Sequence, residues 1–109
     1  MKLGFLASHG GSNMQAILDG CNDGSIQATP AILICNNRNA QAVERARQAV
    51  MPTCILNGKT HPLPVDLDQA ILDALQGAGV DLIVLAGFMK KIGPKTMAAF
   101  RNRIVNIHP

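Results

Sequence analysis

Short apolar runs alternate along the chain with longer segments in which apolar residues recur every three or four positions. The short runs, bounded by turn-forming residues, predict strands, and the three-to-four repeat predicts amphipathic helices. We predict five strands, at residues 2–8, 31–35, 53–56, 81–86 and 104–107. We predict four helices: one that begins at residue 12 and stops near residue 24, two at residues 40–50 and 66–78, and a short one that begins at residue 94.

Strands and helices that alternate in this way form βαβ units with parallel strands. The run at residues 81–86 (DLIVLA) is continuously apolar, as in strands buried on both faces of a parallel sheet. We therefore predict an α/β fold, a Rossmann-like parallel sheet with helices on both faces, in which residues 1–109 form one domain. Ligands of such sheets bind at the carboxyl ends of the strands.

The helical repeats also predict which side chains are buried. In the second helix, Val43, Ala46 and Arg47 are spaced for one face. Asp66 and Asp68 are interpreted as charges that favour the positive amino end of the third helix. The buried stripe of that helix is predicted to be Leu67, Ala70, Ile71, Ala74 and Leu75.

Composition narrows the class of protein. The 109 residues are 48% hydrophobic and 16% charged, which supports a folded core and argues against disorder. The net charge is only +3, the basic residues are scattered, and the aromatic residues are three Phe, so no nucleic-acid partner is predicted. A small anionic ligand fits this charge better.

The cysteines and the apolar runs indicate in which cellular compartment the protein is found. The three cysteines form no C-x-x-C pair, which argues against a disulfide framework and against a zinc site. We expect each to behave as a small hydrophobic residue in a reducing compartment. No apolar run approaches the roughly 18 residues of a membrane span. We predict a cytoplasmic protein with no membrane partner and no metal.

The loop at residues 8–13 (SHGGSN) connects the first predicted strand to the first helix. Its glycines allow backbone N–H groups to turn toward a ligand, and the helix amino terminus adds partial positive charge and unpaired donors. This arrangement suits a phosphate monoester. The alternative is a plain tight turn in which Ser12 caps the helix.

The last predicted strand carries an amide and an imidazole two positions apart, Asn106 and His108. Residues i and i+2 of a strand point to the same face of the sheet. We therefore expect the two side chains to project together beyond the sheet, where an imidazole can transfer protons near neutral pH.

Four segments resemble the glycinamide ribonucleotide transformylase family, the folate-dependent formyltransferases of purine synthesis. They are residues 11–17 (GSNMQAI), 44–47 (ERAR), 84–89 (VLAGFM) and 106–109 (NIHP). The similarity runs through all 109 residues and covers about the amino-terminal half of the family's domain, so we expect a formyltransferase domain that is incomplete at its carboxyl end.

The resemblance implies a phosphoribosylglycinamide formyltransferase that moves a formyl group from 10-formyltetrahydrofolate, its co-substrate, to the amine of glycinamide ribonucleotide without a metal. It implies that His108 is the general acid/base and that the Asn106 amide and protonated His108 stabilise the oxyanion that forms. The implied substrate-binding residues are Gly11, Ser12, Asn13, Gly87 and Pro109. The implied folate-binding residues are Met89, Lys90, Lys91, Ile92 and Asn106.

Two positions depart from the family's pattern. Lys91 places a second positive charge where the family has aliphatic residues, and Pro64 stands in a region where relatives often carry an arginine near the folate. The family's catalytic aspartate follows the last residue of this sequence. We therefore expect the 109-residue chain alone to be weak or inactive.

Two other readings stay open. Within the same superfamily, the chain could act on methionyl-tRNA or hydrolyse formyltetrahydrofolate, although those relatives do not use this Gly-Ser-Asn loop. In a different class, it could be a non-catalytic phosphate-ligand-binding remnant or fragment that self-associates through an open sheet edge.

Overall fold

The chain folds into a five-stranded parallel sheet with two helices packed against each face, as the computed structural model shows for residues 1–107. His108 and Pro109 lie outside the described residues. The elements, in chain order, are β1 Lys2–Ala7, α1 Ser12–Asp23, β2 Thr29–Cys35, α2 Gln41–Gln48, β3 Thr53–Ile55, α3 Pro64–Gly77, β4 Leu82–Ala86, α4 Pro94–Ala99 and β5 Ile104–Ile107. The predicted fold class and all nine predicted elements are confirmed, with ends that differ by one to two residues for most of them.

The strand order is β3-β2-β1-β4-β5, and each neighbouring pair is parallel. The chain first runs outward from β1 through β2 to β3, and then crosses to β4 on the other side of β1. Phe5 of β1 accordingly pairs with Leu33 of β2 and with Val84 of β4. This reversal opens a crevice at the carboxyl ends of β1 and β4, which is where open α/β sheets bind ligands.

The two faces of the sheet form separate hydrophobic cores. Successive strand residues point to opposite faces, so Phe5 packs under α1 and α2 whereas Leu6 packs under α3 and α4. Both side chains are fully buried, as expected for the central strand of a sheet covered on both faces.

The buried face of α2 differs from the prediction. Ala42 and Ala46, four residues apart, are fully buried, whereas Arg47 is exposed and forms an ion pair with Glu44 at 2.6 Å. The prediction for Arg47 was wrong because a positive charge one position from the buried row turns to water and finds an acidic partner on the helix surface. Small residues on the buried row let α2 lie close to the sheet and to the loop after β1.

The cysteines behave differently from one another. Cys35 is buried in the first core, and burial raises the pKa of its thiol, so it stays neutral and packs as a hydrophobic side chain. Cys21 and Cys54 are half-buried against the two cores. Within residues 1–107, no helix combines the length and apolar character needed to cross a membrane.

Candidate active site

A cavity of about 310 Å³ lies at the crevice between the carboxyl ends of β1 and β4. Three segments line it: residues 9–13 after β1, residues 86–89 at the end of β4, and residues 106–107 of β5. None of the described residues that line it is acidic. The walls therefore offer donors without a carboxylate that would repel an anion.

Gly11 gives the loop after β1 its shape. Its φ angle is 75°, in the left-handed region that side chains rarely adopt, and it occupies the cap position of α1. A Cβ at position 11 would lie 2.9 Å from the Cβ of Ala42 and 3.0 Å from its Cα. A glycine is thus needed for two reasons, backbone conformation and close contact with α2.

The amino terminus of α1 has unpaired donors, and two of its residues, Ser12 and Asn13, line the cavity. Ser12 is the first helical residue rather than the cap, so the predicted alternative of a Ser12-capped turn was wrong. The N–H groups of Ser12, Asn13 and Met14 have no acceptor among residues 1–107. Together with the dipole of a twelve-residue helix, these donors are suited to a phosphate.

Helix α2 holds this loop in place. The Ala42 N–H donates to the carbonyl of His9 at 3.0 Å, and Nε of Arg45 donates to the carbonyl of Gly10 at 2.8 Å. These bonds satisfy two loop carbonyls and leave the following N–H groups for a ligand. Arg45 belongs to the ERAR motif, but its role depends on a partner 35 positions away and was not predictable from the motif.

The second wall of the cavity is joined to the first through Ser8. This serine is 2% exposed, and its Oγ accepts a hydrogen bond of 2.9 Å from the N–H of Met89. Gly87, with a φ angle of 71°, makes the turn that brings Met89 to this position. Sequence reasoning placed Ser8 in the candidate phosphate-binding loop at residues 8–13, here called the phosphate loop, whereas in the structure Ser8 connects the two sides of the crevice.

Asn106 lies in β5 opposite Leu85 of β4, and it lines the cavity with the phosphate loop. Asn106 therefore shares this cavity with Gly11, Ser12, Asn13 and Gly87. The predicted partners His108 and Pro109 lie outside the described residues, so their roles stay predictions.

A larger cavity, here called the lysine groove, has a volume of about 860 Å³ and lies on the α3 and α4 side of the sheet. Apolar residues from α3 and from the segment before α4 form part of it, and lysines from two loops and from α4 also line it. The groove includes Lys59, Leu67, Ile71, Phe88, Lys90, Lys91, Ile92 and Lys95.

The structure divides the predicted folate-binding residues between the two cavities. Lys90, Lys91 and Ile92 line the lysine groove, whereas Met89 and Asn106 line the 310 Å³ cavity. Phe88 lines both. The segment that connects β4 to α4 thus contributes to both cavities.

Asp68 was predicted to be a helix-start charge, and this was wrong. It is 5% exposed, and its carboxylate accepts bonds from the N–H groups of Lys95 (2.8 Å) and Thr96 (3.0 Å) and from the Thr96 hydroxyl (2.7 Å). Burial alone would raise the pKa of Asp68, but these donors, and weakly the Lys95 charge, lower it more in sum. Asp66, by contrast, lies exposed in the first turn of α3.

In the part of the chain that the structure describes, no three His, Cys, Asp or Glu side chains are close enough to hold a metal ion together. Among the described residues, the polar chemistry available at the crevice is that of backbone amides, the side-chain amides of Asn13 and Asn106, the Ser12 hydroxyl and the His9 imidazole.

The whole chain, residues 1–109, matches the family described as Formyl transferase. The chain belongs to this family. It is 43% identical to a phosphoribosylglycinamide formyltransferase of Haemophilus influenzae over 99% of this chain and 51% of that protein. It is 36% identical to the chloroplastic phosphoribosylglycinamide formyltransferase of Arabidopsis thaliana over 99% of this chain and 37% of that protein.

The fold matches the same family. The crystal structure of glycinamide ribonucleotide transformylase 1 from Symbiobacterium toebii superimposes with a TM-score of 0.95 at 40% identity, over 100% of this chain and 51% of that one. The family resemblance inferred from the four motifs is therefore confirmed. The chain spans about half the length of the bacterial relatives that it matches.

Proposed function

We propose that this chain forms the substrate-binding part of a phosphoribosylglycinamide formyltransferase, which transfers a formyl group from 10-formyltetrahydrofolate to the amine of glycinamide ribonucleotide. One observation carries the proposal: Ser12 and Asn13, whose N–H groups are unpaired, line one cavity with Asn106, and the described walls of that cavity contain no acidic side chain. Relatives named for this reaction match 99% of the chain.

The phosphate of the substrate binds at the amino terminus of α1. Gly11 exposes the backbone there, and the N–H groups of Ser12, Asn13 and Met14 donate to the phosphate oxygens. Because Arg45 and Ala42 already hold the loop, little ordering is needed when the phosphate binds.

The reacting end of the substrate lies toward Asn106. Attack of the amine on the formyl carbon places negative charge on the formyl oxygen, and a fixed amide N–H near that oxygen lowers the barrier. The Asn106 amide is suited to this donation because β5 holds its backbone in register with β4. His108 as the general acid/base remains a prediction of the family motif.

The lysine groove fits the co-substrate. The apolar side chains of Leu67, Ile71 and Ile92 offer a surface for an aromatic ring system, and Lys90 and Lys91 offer charge for its carboxylates. Asp68 is the acidic residue among those that line the groove, and its carboxylate already accepts hydrogen bonds from three donors. When bound, the co-substrate supplies the formyl group.

The test is a calorimetric titration of glycinamide ribonucleotide into the chain and into a Ser12→Ala, Asn13→Ala double variant. We expect saturable binding to the chain and binding at least about tenfold weaker in the double variant, which keeps the backbone N–H groups but loses the side-chain donors of Ser12 and Asn13. Asn22→Ala, an exposed polar residue in the last turn of the same helix, serves as the matched control and should bind like the unmodified chain. Absence of binding to folded, unmodified protein would reject the proposal.

A formyl-transfer assay on the same samples addresses the alternatives. Transfer from 10-formyltetrahydrofolate would reject the non-catalytic phosphate-binding reading, whereas binding without transfer is expected both of that reading and of the substrate-binding part of an enzyme. The small-molecule partner, the absence of nucleic-acid and membrane partners, and the cytoplasmic location also remain predictions, and the Arabidopsis relative is named as chloroplastic.

A further inference from the structure

Residues 87–93, here called the connecting segment, join β4 to α4 without regular secondary structure. Ala86 to Met89 line the 310 Å³ cavity, and Phe88 and Lys90 to Gly93 line the lysine groove. The course of this segment therefore sets the position of one cavity relative to the other.

Side chains from distant elements hold both ends of the connecting segment. Near its start, the buried Oγ of Ser8 accepts the Met89 N–H at 2.9 Å. Just beyond its end, Asp68 of α3 accepts the N–H groups of Lys95 and Thr96, which are residues of the first turn of α4. Between these anchors lie Lys90, Lys91 and Ile92.

The anchor at Asp68 replaces a local helix cap. Gly93 occupies the cap position of α4 and has no side chain to satisfy the first N–H groups. Asp68 does this from α3, 28 positions from Thr96, and the Thr96 hydroxyl adds a bond of 2.7 Å. The Gly93 backbone lies so near the carboxylate that a Cβ at position 93 would collide with it.

We propose that Asp68 is a positioning residue that sets Lys90, Lys91 and Ile92 for the co-substrate. This inference rests on the proposed function, since it assigns those residues to the folate. Helix α3 supplies both Asp68 and the apolar groove residues Leu67 and Ile71. The Asp68 bonds thus fix the segment relative to the surface that faces it. The phosphate loop is held independently by α2.

The test compares Asp68→Asn with the unmodified chain and with Asp73→Asn, which removes the same charge from an exposed position on the same helix. Two ligands are titrated under conditions where all three proteins are folded: glycinamide ribonucleotide and 10-formylfolate, the oxidised form of the co-substrate. Amide hydrogen exchange at residues 88–96 is measured on the same samples.

We expect Asp68→Asn to weaken 10-formylfolate binding about tenfold, the effect of losing one hydrogen bond to a charged group. Glycinamide ribonucleotide binding should stay unchanged, and exchange should rise at residues 88–96 alone. Asp73→Asn should match the unmodified chain. Equal weakening of both ligands would overturn the inference, because it would indicate a general loss of stability that affects both cavities. No change in the binding of either ligand would also overturn it, because Asp68 would then not position the groove residues.

Two further outcomes remain informative. If 10-formylfolate fails to bind the unmodified chain, the assignment of the groove to the co-substrate is rejected, and local exchange at residues 88–96 alone decides whether Asp68 positions the segment. If Asp68→Asn does not fold, Thr96→Val removes only the hydroxyl donor to Asp68. This variant should weaken 10-formylfolate binding and raise exchange at residues 88–96 in the same way, but to a smaller extent. A Thr96→Val variant without that pattern would overturn the inference.

Discussion

Two adjacent glycines make different contributions to the phosphate loop. Gly11 has a φ angle of 75° and lies against Ala42, whereas a Cβ at Gly10 would meet no described atom within 4 Å. We expect Gly11→Ala to destabilise the chain by about 1–3 kcal/mol, the usual cost of a strained backbone position, and to abolish phosphate-ligand binding. Urea unfolding and calorimetry measure the two effects.

Gly10→Ala is the matched control for this prediction. Its added methyl group enters open space, so both stability and ligand binding should stay close to those of the unmodified chain. Equal effects at positions 10 and 11 would contradict the role assigned to the Gly11 backbone.

Val50 is a strained residue at the end of α2. Its φ angle is 56°, its N–H donates to the carbonyl of Arg47, and the next N–H, of Met51, donates to the carbonyl of Ala46. This is a Schellman helix end, in which glycine is the preferred residue at the left-handed position. The Val50 side chain is 89% exposed and contributes little packing.

We therefore expect Val50→Gly to stabilise the chain by about 0.5–1 kcal/mol, because relief of left-handed strain exceeds the added entropy of the unfolded glycine. The measurement is the urea midpoint. Val65→Gly is the control, since Val65 is also exposed but lies in the first turn of α3, where glycine weakens a helix. The two variants should shift the midpoint in opposite directions.

At the level of elements, the contact between α3 and α4 should depend on pH through Asp68. Its folded pKa is lowered because the Thr96 hydroxyl and the Lys95 and Thr96 N–H groups outweigh burial, and Lys95 is the charged residue that faces it. A lowered folded pKa means that the stabilisation is complete above the ordinary aspartate value, near 3.9, and is lost as pH falls through the folded value.

The measurement is the free energy of unfolding of the unmodified chain and of Asp68→Asn over a descending pH series. We expect the unmodified chain to be more stable at neutral pH and the difference to shrink in acid, since protonation then removes the negative charge of Asp68, which the variant lacks at every pH. A difference that stays constant through the acid range would show that the charge of Asp68 does not stabilise α4.

The sequence predicted the elements well because their signals are local. The three-to-four repeat and the glycine at position 24 placed α1 between Ser12 and Asp23, and the apolar run before Gly87 placed β4. The missed features involve partners that are distant in sequence. Ser8 bonds to a residue 81 positions away and Asp68 to one 28 positions away, and neither spacing leaves a periodic pattern.

The candidate site was predictable to a similar extent. Gly11, Ser12, Asn13, Gly87 and Asn106 meet in one cavity because parallel strands end at the same edge of the sheet. The division of the folate-binding residues between two cavities depends on the course of the connecting segment, which three-dimensional contacts determine. The role of Arg45 is likewise determined by three-dimensional contacts, since Arg45 lies in α2 and bonds to the loop after β1.

At the level of the whole molecule, β5 is an edge strand in the described structure, paired with β4 on one side. Val105 of this strand is 44% exposed. Exposed strand edges promote pairing between chains, so we expect the 109-residue chain to self-associate as its concentration rises.

Sedimentation velocity at several concentrations tests this expectation. Val105→Lys should shift the chain toward monomer, because a charged edge residue opposes strand pairing. Val65→Lys places the same charge on an exposed helix position and should leave the association unchanged. A single monomeric species at every concentration would contradict edge pairing.

The reversal of strand order between β1 and β4 also has a consequence in time. During synthesis, β1, β2 and β3 can pair as soon as they leave the ribosome, but the second wall of the crevice arrives only with β4. Closing so long a loop is entropically costly, so the bond between Met89 and Ser8 should form late in folding. A nascent chain would acquire its phosphate loop first and its complete binding crevice only after β4 and then β5, which carries Asn106, have docked, so ligand binding would report the last steps of folding.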